Sequence, residues 1–246
     1  MPNFLRLLSL SLALAASCAG PRAEPEPPPP AAVAAPAPEV GAEHRLNEHF
    51  LSDDLDVQQF VQTFEGESRE IAVHHLELTA ALGLQAGMAV ADVGAGTGLF
   101  LEPLARAVGP SGRVYALDIA PRFVEHLAQR AEQGGFVQVE ARLCTETSVG
   151  LPASSIDLAL VCDTYHHFEH PQATLASLRT ALRPGGRLLV VDLERIPGVS
   201  REWTLDHVRG DKQVFRSEIE AAGFRFEGEI EVPGMVENYV LQFRRP

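Results

Sequence analysis

The sequence is poor in basic residues, in cysteine and in tryptophan. Its 20 Lys and Arg stand against 33 Asp and Glu, so the formal net charge is −13. Because a nucleic-acid backbone is held by clustered Lys and Arg, we expect no nucleic-acid partner. The three cysteines are not spaced like a metal site, and we expect Cys144 and Cys162 to be free thiols. The 246 residues suffice for one ordinary domain with appendages.

The apolar run near the start, Leu5–Ala16, is too short to cross a bilayer as a folded helix and has the length of a signal-peptide core. The following Cys18 stands in the sequence AASC, which resembles the lipobox of bacterial lipoproteins. That resemblance implies a signal peptide over residues 1–18 and a lipidated Cys18. Cleavage after Ala19 and an uncleaved apolar tail are the alternatives. We expect a cell-envelope protein, lipid-anchored or periplasmic, that contacts a membrane only through Cys18; a misread signal would leave it cytoplasmic.

Proline and alanine dominate the next segment, residues 19–42. Its central part, Pro21–Val40, has no hydrophobic periodicity and predicts an extended, semi-rigid tether. The folded domain is then expected over residues 43–246. Its first part, residues 43–85, carries apolar residues at helical spacing in two stretches, Asp54–Gly66 and Ser68–Leu84. From position alone, these helices would form a lid over a ligand, with Phe60, Phe64 and Arg69 facing it.

After residue 85, short β-rich runs alternate with helical stretches. This alternation predicts an α/β fold: a Rossmann-like, doubly wound, mainly parallel sheet of seven strands, with helices on both faces and a C-terminal antiparallel hairpin. The predicted strands are Met88–Val93, Arg113–Asp118, Phe136–Leu143, Ile156–Cys162, Arg187–Leu193, Phe224–Val232 and Val236–Arg244. The predicted helices are Leu99–Val108, Pro121–Gln133, Gln172–Leu182 and Asp211–Ala222, with the sequence RPGG as a turn closing the third. Ligands of such sheets bind at the carboxyl ends of the strands, beside the first one.

A glycine-rich loop follows the first predicted strand in the sequence VADVGAGTG. Gly94, Gly96 and Gly98 have the spacing G-x-G-x-G, whereas a dinucleotide fingerprint has G-x-G-x-x-G, which disfavours a nicotinamide-dependent oxidoreductase. Asp92 precedes the loop, and Asp118 ends the second strand twenty residues beyond Gly98. This combination resembles motif I of the class I S-adenosylmethionine-dependent methyltransferases. The resemblance runs from about residue 76 to residue 223.

The resemblance implies a set of cofactor-binding residues for S-adenosylmethionine. Glycines allow a ligand to approach the backbone, and the following helix N-terminus favours its carboxylate. Asp118, with Ile119 after it, would accept both ribose hydroxyls. Asp92 would order the loop or attract the ligand's ammonium group, or else satisfy turn amides. Thr145 stands where many relatives have an Asp that binds the adenine amino group, and Asp163, after the fourth strand, would face the methionine part.

Two adjacent histidines, His166 and His167, follow the fourth strand. An imidazole there would take a proton from a substrate nucleophile, so both are candidate catalytic bases; a packed, hydrogen-bonded pair is the alternative. We expect no metal site, because adjacent residues on a turn point apart and no H-x-x-x-H pattern accompanies them. The polar segment after the fifth strand, with His207, Arg209, Asp211 and Lys212, is expected either to shape an acceptor pocket or to be a solvated loop.

The sequence therefore predicts methyl transfer from S-adenosylmethionine to a small-molecule acceptor. Proximity and in-line alignment can supply much of the acceleration in such a transfer, so a general base is not required. The alternative is a non-catalytic, exported binding module that keeps the methyltransferase fold, since a compartment outside the cytoplasmic membrane should hold little of this cofactor.

Overall fold

The computed structural model describes residues 46–66 and 69–246. The predicted signal peptide (residues 1–18) and tether (residues 19–42) lie outside the described residues. Within the described ranges, none of the helices has the length and apolar character needed to cross a membrane.

Seven strands form one sheet in the order β3-β2-β1-β4-β5-β7-β6. All neighbouring pairs are parallel except those that involve β7, which runs antiparallel to both β5 and β6. The predicted α/β fold with a C-terminal antiparallel hairpin is thus confirmed. The strands are β1 (Ala89–Val93), β2 (Arg113–Asp118), β3 (Val139–Leu143), β4 (Ile156–Cys162), β5 (Leu182–Leu193), β6 (Arg225–Glu229) and β7 (Asn238–Arg244).

Helices cover both faces of this sheet. In β5, Val190 packs into one hydrophobic cluster and Val191 into another, because successive side chains of a strand point to opposite faces. Strands buried on both faces read as continuous apolar runs, which is why the central strands were predictable. The helices are α1 (Val57–Phe64), α2 (Glu70–Val73), α3 (His75–Ala81), α4 (Leu101–Val108), α5 (Pro121–Gln133), α6 (Pro171–Ala181), α7 (Glu202–His207) and α8 (Lys212–Ala221).

Two local predictions were wrong. The stretch expected as one helix over Ser68–Leu84 is broken at His74, which ends α2 and precedes α3. The RPGG sequence is not a separate turn, since α6 runs directly into β5 and RPGG lies inside that strand. There the register against β4 shifts from the pair Ile156 and Leu182 to the pair Leu158 and Arg187. A bulge absorbs these residues, with Gly185 at φ 77°.

The strand order reverses beside β1. The chain proceeds from β1 outward to β2 and β3, then returns to place β4 on the other side of β1. The connections that leave the carboxyl ends of β1 and β4 therefore diverge and leave a crevice between them. The predicted ligand-binding loops all lie at this edge of the sheet.

Candidate active site

One cavity of about 520 Å³ lies at the carboxyl ends of β1, β2 and β4. Side chains from α1, from the segment before α2 and from α7 also line it. Its lining holds seven carboxylate side chains and two arginines. This excess of acidic groups favours a ligand that carries positive charge.

The glycine loop between β1 and α4 depends on its three glycines for different reasons. Gly94 has φ 75°, and a Cβ there would lie 2.3 Å from Cγ2 of Thr164. Gly98 has φ 88°, and a Cβ there would lie 2.8 Å from Cδ2 of Leu127. Gly96 has φ 52°, but a Cβ there would contact only the ring of Phe64, at 3.6 Å. The first and third glycines are therefore required by the protein's own packing, and not only by the approach of a ligand.

Most amides of the glycine loop are already hydrogen-bonded within the protein. The N–H groups of Gly94 and Ala95 both donate to the carbonyl of Leu117, at 2.8 and 2.9 Å, and Gly98 N–H donates to Ala95. The helix after the loop begins only at Leu101, whose N–H donates to Gly98. The N–H groups of Thr97, Leu99 and Phe100, which also line the cavity, have no hydrogen-bond partner among the described residues, so binding of a ligand carboxylate at the helix N-terminus stays a prediction.

Asp118, at the end of β2, is hydrogen-bonded to this loop. Its Oδ2 accepts a hydrogen bond of 2.8 Å from Gly96 N–H, and its Oδ1 accepts one of 2.9 Å from Ala120 N–H. Burial raises the pKa of Asp118 to about 6, although the amides of Ala120, Gly96 and Ile119 act in the opposite direction. Each oxygen keeps a second lone pair, so the predicted pairing with ribose hydroxyls remains open to Asp118. Ile119 also lines the cavity.

Asp92, near the end of β1, is the second buried carboxylate at this place, with 3% of its surface exposed. Burial and the neighbouring charge of Asp118 raise the pKa of Asp92 to about 7. Among the described residues, no backbone amide donates a hydrogen bond to the Asp92 carboxylate, whereas two donate to Asp118. Of the roles predicted for Asp92, satisfying turn amides is therefore not observed. A buried carboxylate that has no hydrogen-bond donor attracts a cation.

Asp163 follows β4 with a φ of 46°, and 10% of its side chain is exposed. It forms an ion pair with Arg69 and accepts a hydrogen bond of 2.6 Å from Nδ2 of Asn238. Burial raises the pKa of Asp163, and Arg69 offsets this only in part. Arg69 also lies over the ring of Phe64, 5.2 Å from its centroid. Phe60, Phe64 and Arg69 all line the cavity, where the predicted lid would place them.

The chain after β3 supplies the weakest of the predicted cofactor residues. Thr145 lines the cavity but is exposed, and its hydroxyl lies 3.4 Å from the Ser148 carbonyl. The neighbouring Glu146 lines the cavity as well, and its carbonyl accepts a hydrogen bond of 2.6 Å from Thr174. The predicted partner of the adenine amino group is thus an exposed hydroxyl, with Glu146 beside it.

His166 forms a buried dyad with Asp192. Nδ1 of His166 lies 2.7 Å from Oδ1 of Asp192, and the His166 N–H donates to Oδ2 at 3.1 Å. Burial lowers the pKa of His166, but the charge of Asp192 and its hydrogen bond outweigh burial, so the net pKa is raised. The arrangement leaves Nε2 of His166 as the nitrogen that can accept a proton.

His167 differs from His166 in chemistry. Burial and the neighbouring His166 and His207 lower the pKa of His167 to about 2. Of the two predicted bases, only His166 is therefore suited to take up a proton near neutral pH. The expectation that the two histidines point apart was wrong, because their ring centroids are 4.4 Å apart. His207 completes the group, with its Nε2 at 3.3 Å from Nε2 of His167.

The polar segment after β5 is mainly structural. Arg209 makes two hydrogen bonds of 2.7 Å to Glu218, and Asp211 caps the N-terminus of α8. Lys212 pairs with Glu194 and Glu229. Only His207 among the four predicted residues lines the cavity, together with Trp203 and Thr204 of the same helix.

Sequence reasoning missed Asp192, Asn238 and the pairing of Arg69 with Asp163. One signal was present for Asp192, because it is a single acidic residue at the end of the apolar run LLVV in β5. No comparable signal marks Asn238, which starts β7 and reaches Asp163 across 75 residues of chain.

Residues 91–190 match a family model described as a methyltransferase domain. An "Uncharacterized 37.1 kDa protein in transposon TN4556" of Streptomyces fradiae is 39% identical over 110 residues, which are 45% of this chain and 31% of that protein. The ubiquinone/menaquinone biosynthesis C-methyltransferase UbiE of Cupriavidus taiwanensis is 29% identical over 117 residues, which are 48% of each protein. The chain thus matches less than half the length of either relative.

A solved structure of a SAM dependent methyltransferase from Aquifex aeolicus superposes with a TM-score of 0.68 at 23% identity. The superposition covers 78% of this chain and all of that one, and at this identity it establishes the fold. The matched segment runs from β1 to β5 and includes the glycine loop, Asp118 and Asp163. The cofactor that such a domain implies is S-adenosylmethionine. Residues 91–190 thus resemble a methyltransferase domain, and the chain has the fold of the S-adenosylmethionine-dependent methyltransferases.

Proposed function

We propose that this protein transfers the methyl group of S-adenosylmethionine to a small-molecule acceptor. The observation that carries the proposal is the pair of buried acids Asp92 and Asp118. They flank the glycine loop in one cavity, with pKa values raised to about 7 and about 6. Two carboxylates held so close together in a buried place favour a ligand that brings a cation and hydroxyl donors, and S-adenosylmethionine brings both.

The cavity also offers groups for the two ends of the cofactor. Asp118 and Ile119 would hold the ribose, Thr145 the adenine amino group, and Asp92 the ammonium group. We assign the carboxylate of the methionine part to the backbone amides of Leu99 and Phe100 and to Arg69, which lies at the cavity beside Asp163. Asp163 would then sit at the junction of cofactor and acceptor. In-line transfer requires mainly that the acceptor atom be held behind the sulfonium methyl.

The acceptor end of the cavity would be the side lined by His166, His167 and His207. His166, polarised by Asp192, is the residue that can remove a proton from an acceptor. One curated relative is named as a C-methyltransferase of quinone biosynthesis. A carbon acceptor of that kind would need such a base, whereas a nucleophile that is already ionised would not.

The test is calorimetric titration of S-adenosylmethionine and of its demethylated product, S-adenosylhomocysteine, into the full chain. We expect micromolar binding of both at pH 8. A folded protein that binds neither at millimolar concentration would instead be the non-catalytic binding module. Turnover is then followed by transfer of isotopic methyl from the cofactor to a small-molecule extract, which Asp118→Asn should reduce at a cofactor concentration near the wild-type dissociation constant.

We also propose that the N-terminal segment directs this domain to the cell envelope and that Cys18 is lipidated. This rests on the sequence pattern of residues 1–18 alone. Metabolic labelling with a radioactive fatty acid tests it: the label should appear in the wild-type chain and be absent from Cys18→Ser. If the wild-type chain stays unlabelled in the soluble fraction, the proposed location is wrong.

A further inference from the structure

Three histidines from two separate parts of the chain meet at one side of the cavity. His166 and His167 lie in the 3-10 turn Tyr165–His167 that follows β4, and His207 is the last residue of α7. One ring nitrogen of each histidine lies within 4.8 Å of those of the other two. All three side chains line the cavity.

We propose that His166, His167 and His207 bind a divalent transition-metal ion such as Zn²⁺. With Zn–N distances of 2.0–2.1 Å, two nitrogens of a tetrahedral site lie about 3.3–3.4 Å apart. Nε2 of His167 and Nε2 of His207 are 3.3 Å apart. This distance between the two nitrogens is longer than that of a usual hydrogen bond. The third ring nitrogen, on His166, lies within 4.8 Å of both, so closing the site around one ion requires small rotations of the imidazoles.

Asp192 makes His166 suitable as the third ligand. Histidines that bind metals almost always donate their second ring N–H to a carboxylate or carbonyl, which fixes the tautomer and the ring. Here Oδ1 of Asp192 lies 2.7 Å from Nδ1 of His166, so Nε2 is the nitrogen directed to the ion. Asp192 is itself held by the N–H groups of His166 and Leu193, at 3.1 and 2.8 Å, and is completely buried. Its negative charge offsets part of the charge of the cation.

Neighbouring rings hold the other two ligands in place. Trp203 stacks on His207, with centroids 4.5 Å apart and planes at 20°. Phe50 packs edge-on against His167, with centroids 5.7 Å apart. Three protein ligands leave the fourth position of a tetrahedral ion free for a ligand from the cavity that all three histidines line.

The ion would also define the acceptor, a consequence that rests on the proposed methyl transfer. A thiol or hydroxyl group that binds a metal loses its proton more readily, as metal-bound water does. The proton passes to solvent, and the bound sulfur or oxygen anion attacks the sulfonium methyl. A new S–CH₃ or O–CH₃ bond forms as the sulfonium bond breaks, and S-adenosylhomocysteine leaves with both electrons of that bond. In this reaction the metal takes the place of His166 as the agent of deprotonation.

The experiment uses the full chain without a histidine tag, freed of metal by a chelator. Co²⁺ is added as a spectroscopic probe, and Zn²⁺ is then titrated in competition with it. We expect one Co²⁺ per chain, with the strong visible absorption of a four-coordinate ion, and its loss as Zn²⁺ binds. Octahedral cobalt, as expected for loosely bound surface ions, absorbs far more weakly.

The test variant is His207→Gln, with His170→Gln as its matched control. His207 is half-buried on a short surface helix, so its replacement leaves the core intact, and circular dichroism checks the fold. We expect His207→Gln to lower the Co²⁺ affinity about 100-fold or more, since even loss of an outer partner such as Asp192 costs about 10–100-fold. His170 is exposed, and its replacement should leave the affinity unchanged.

Equal affinity in the wild-type chain and in His207→Gln, or weak absorption of the octahedral type, would overturn the metal proposal. Titration of S-adenosylmethionine into the metal-free protein is measured separately. Failure of the cofactor to bind would remove the proposed methyl transfer without affecting the metal site. Failure of Co²⁺ to bind would remove the metal site and leave His166 as the base.

Discussion

The carboxylate of Asp118 accepts a hydrogen bond of 2.8 Å from the backbone N–H of Gly96. This bond ties the end of β2 to the loop that leaves β1, across 22 residues of chain. Asp118 therefore has two tasks. It holds the glycine loop in shape, and it presents its remaining lone pairs to the cavity, where a ribose would lie.

We predict that Asp118→Asn weakens binding of S-adenosylmethionine at least about tenfold. An amide offers one acceptor oxygen instead of two and carries no charge, so two charge-assisted hydrogen bonds are lost or weakened. The measurement is calorimetric titration at pH 8, with the exposed Glu125→Gln as the control that removes a surface carboxylate. Equal dissociation constants for the wild type and Asp118→Asn would show that Asp118 only shapes the loop.

Binding of the cofactor should depend on pH through Asp92 and Asp118. Their pKa values are about 7 and about 6 in the free protein, whereas a bound cation favours the ionised forms. Binding below pH 7 must therefore expel protons: two below about pH 6 and one between about pH 6 and 7. The affinity should rise up to about 100-fold per pH unit in the first range, up to about tenfold per unit in the second, and level off above about pH 7. Calorimetry in buffers of different ionisation enthalpy measures the released protons directly. An affinity that does not change between pH 5.5 and 8 would contradict this account.

Asp92→Asn provides the complementary stability measurement. The folded state holds protons on Asp92 that the unfolded chain releases near pH 4, so the free energy of unfolding should fall as pH rises from about 4 to 7. Asparagine stays neutral, and we expect this variant to be more stable than the wild type at pH 8 by about 2–4 kcal/mol, with weaker cofactor binding. Urea unfolding at pH 5 and pH 8 checks the sign: the difference between the two proteins should vanish toward the acid side.

Gly94→Ala should destabilise the protein strongly, whereas Gly185→Ala should cost only the strain of its backbone conformation. The two glycines have almost the same φ, 75° and 77°, so both alanines carry about 1–2 kcal/mol of left-handed strain. Only the Cβ at position 94 collides with a neighbour, Thr164 at 2.3 Å, while nothing lies within 4 Å at position 185. Thermal unfolding should show a clearly larger loss for Gly94→Ala. Adding Thr164→Gly should recover part of that difference, and no recovery would mean that Thr164 is not the obstacle.

The ion pair of Arg69 with Asp163 is testable by a double-mutant cycle. Arg69→Met leaves a buried carboxylate unpaired and should cost about 1–3 kcal/mol, below the range for fully buried pairs because 30% of the Arg69 side chain is exposed. Adding Asp163→Asn should recover most of this loss, since asparagine tolerates the positive φ at that position. Urea unfolding of the four proteins gives the coupling energy. A coupling energy near zero would mean that the ion pair does not contribute to stability.

Most of the sheet could be predicted from the sequence because its signals are local. β2 and β4 have the predicted bounds, since a strand buried on both faces is a continuous apolar run that ends at a polar residue. The helix break at His74 and the bulge at RPGG were not predictable in this way. Both depend on what the chain packs against. The residues RPGG are compatible with a turn as well as with a bulge, so the local sequence does not decide between them.

The sequence by itself determined the methyltransferase fold, the glycine loop and the two acids that flank it. The loop directly follows a strand, and the two acids lie at strand ends at a fixed spacing from it. Only the tertiary structure brought His207 to His167 across 40 residues, Asp192 to His166 across 26, and Arg69 to Asp163 across 94. No local sequence pattern predicts these contacts between distant residues. They arise because parallel strands place all their carboxyl ends at one edge of the sheet, where residues distant in sequence become neighbours.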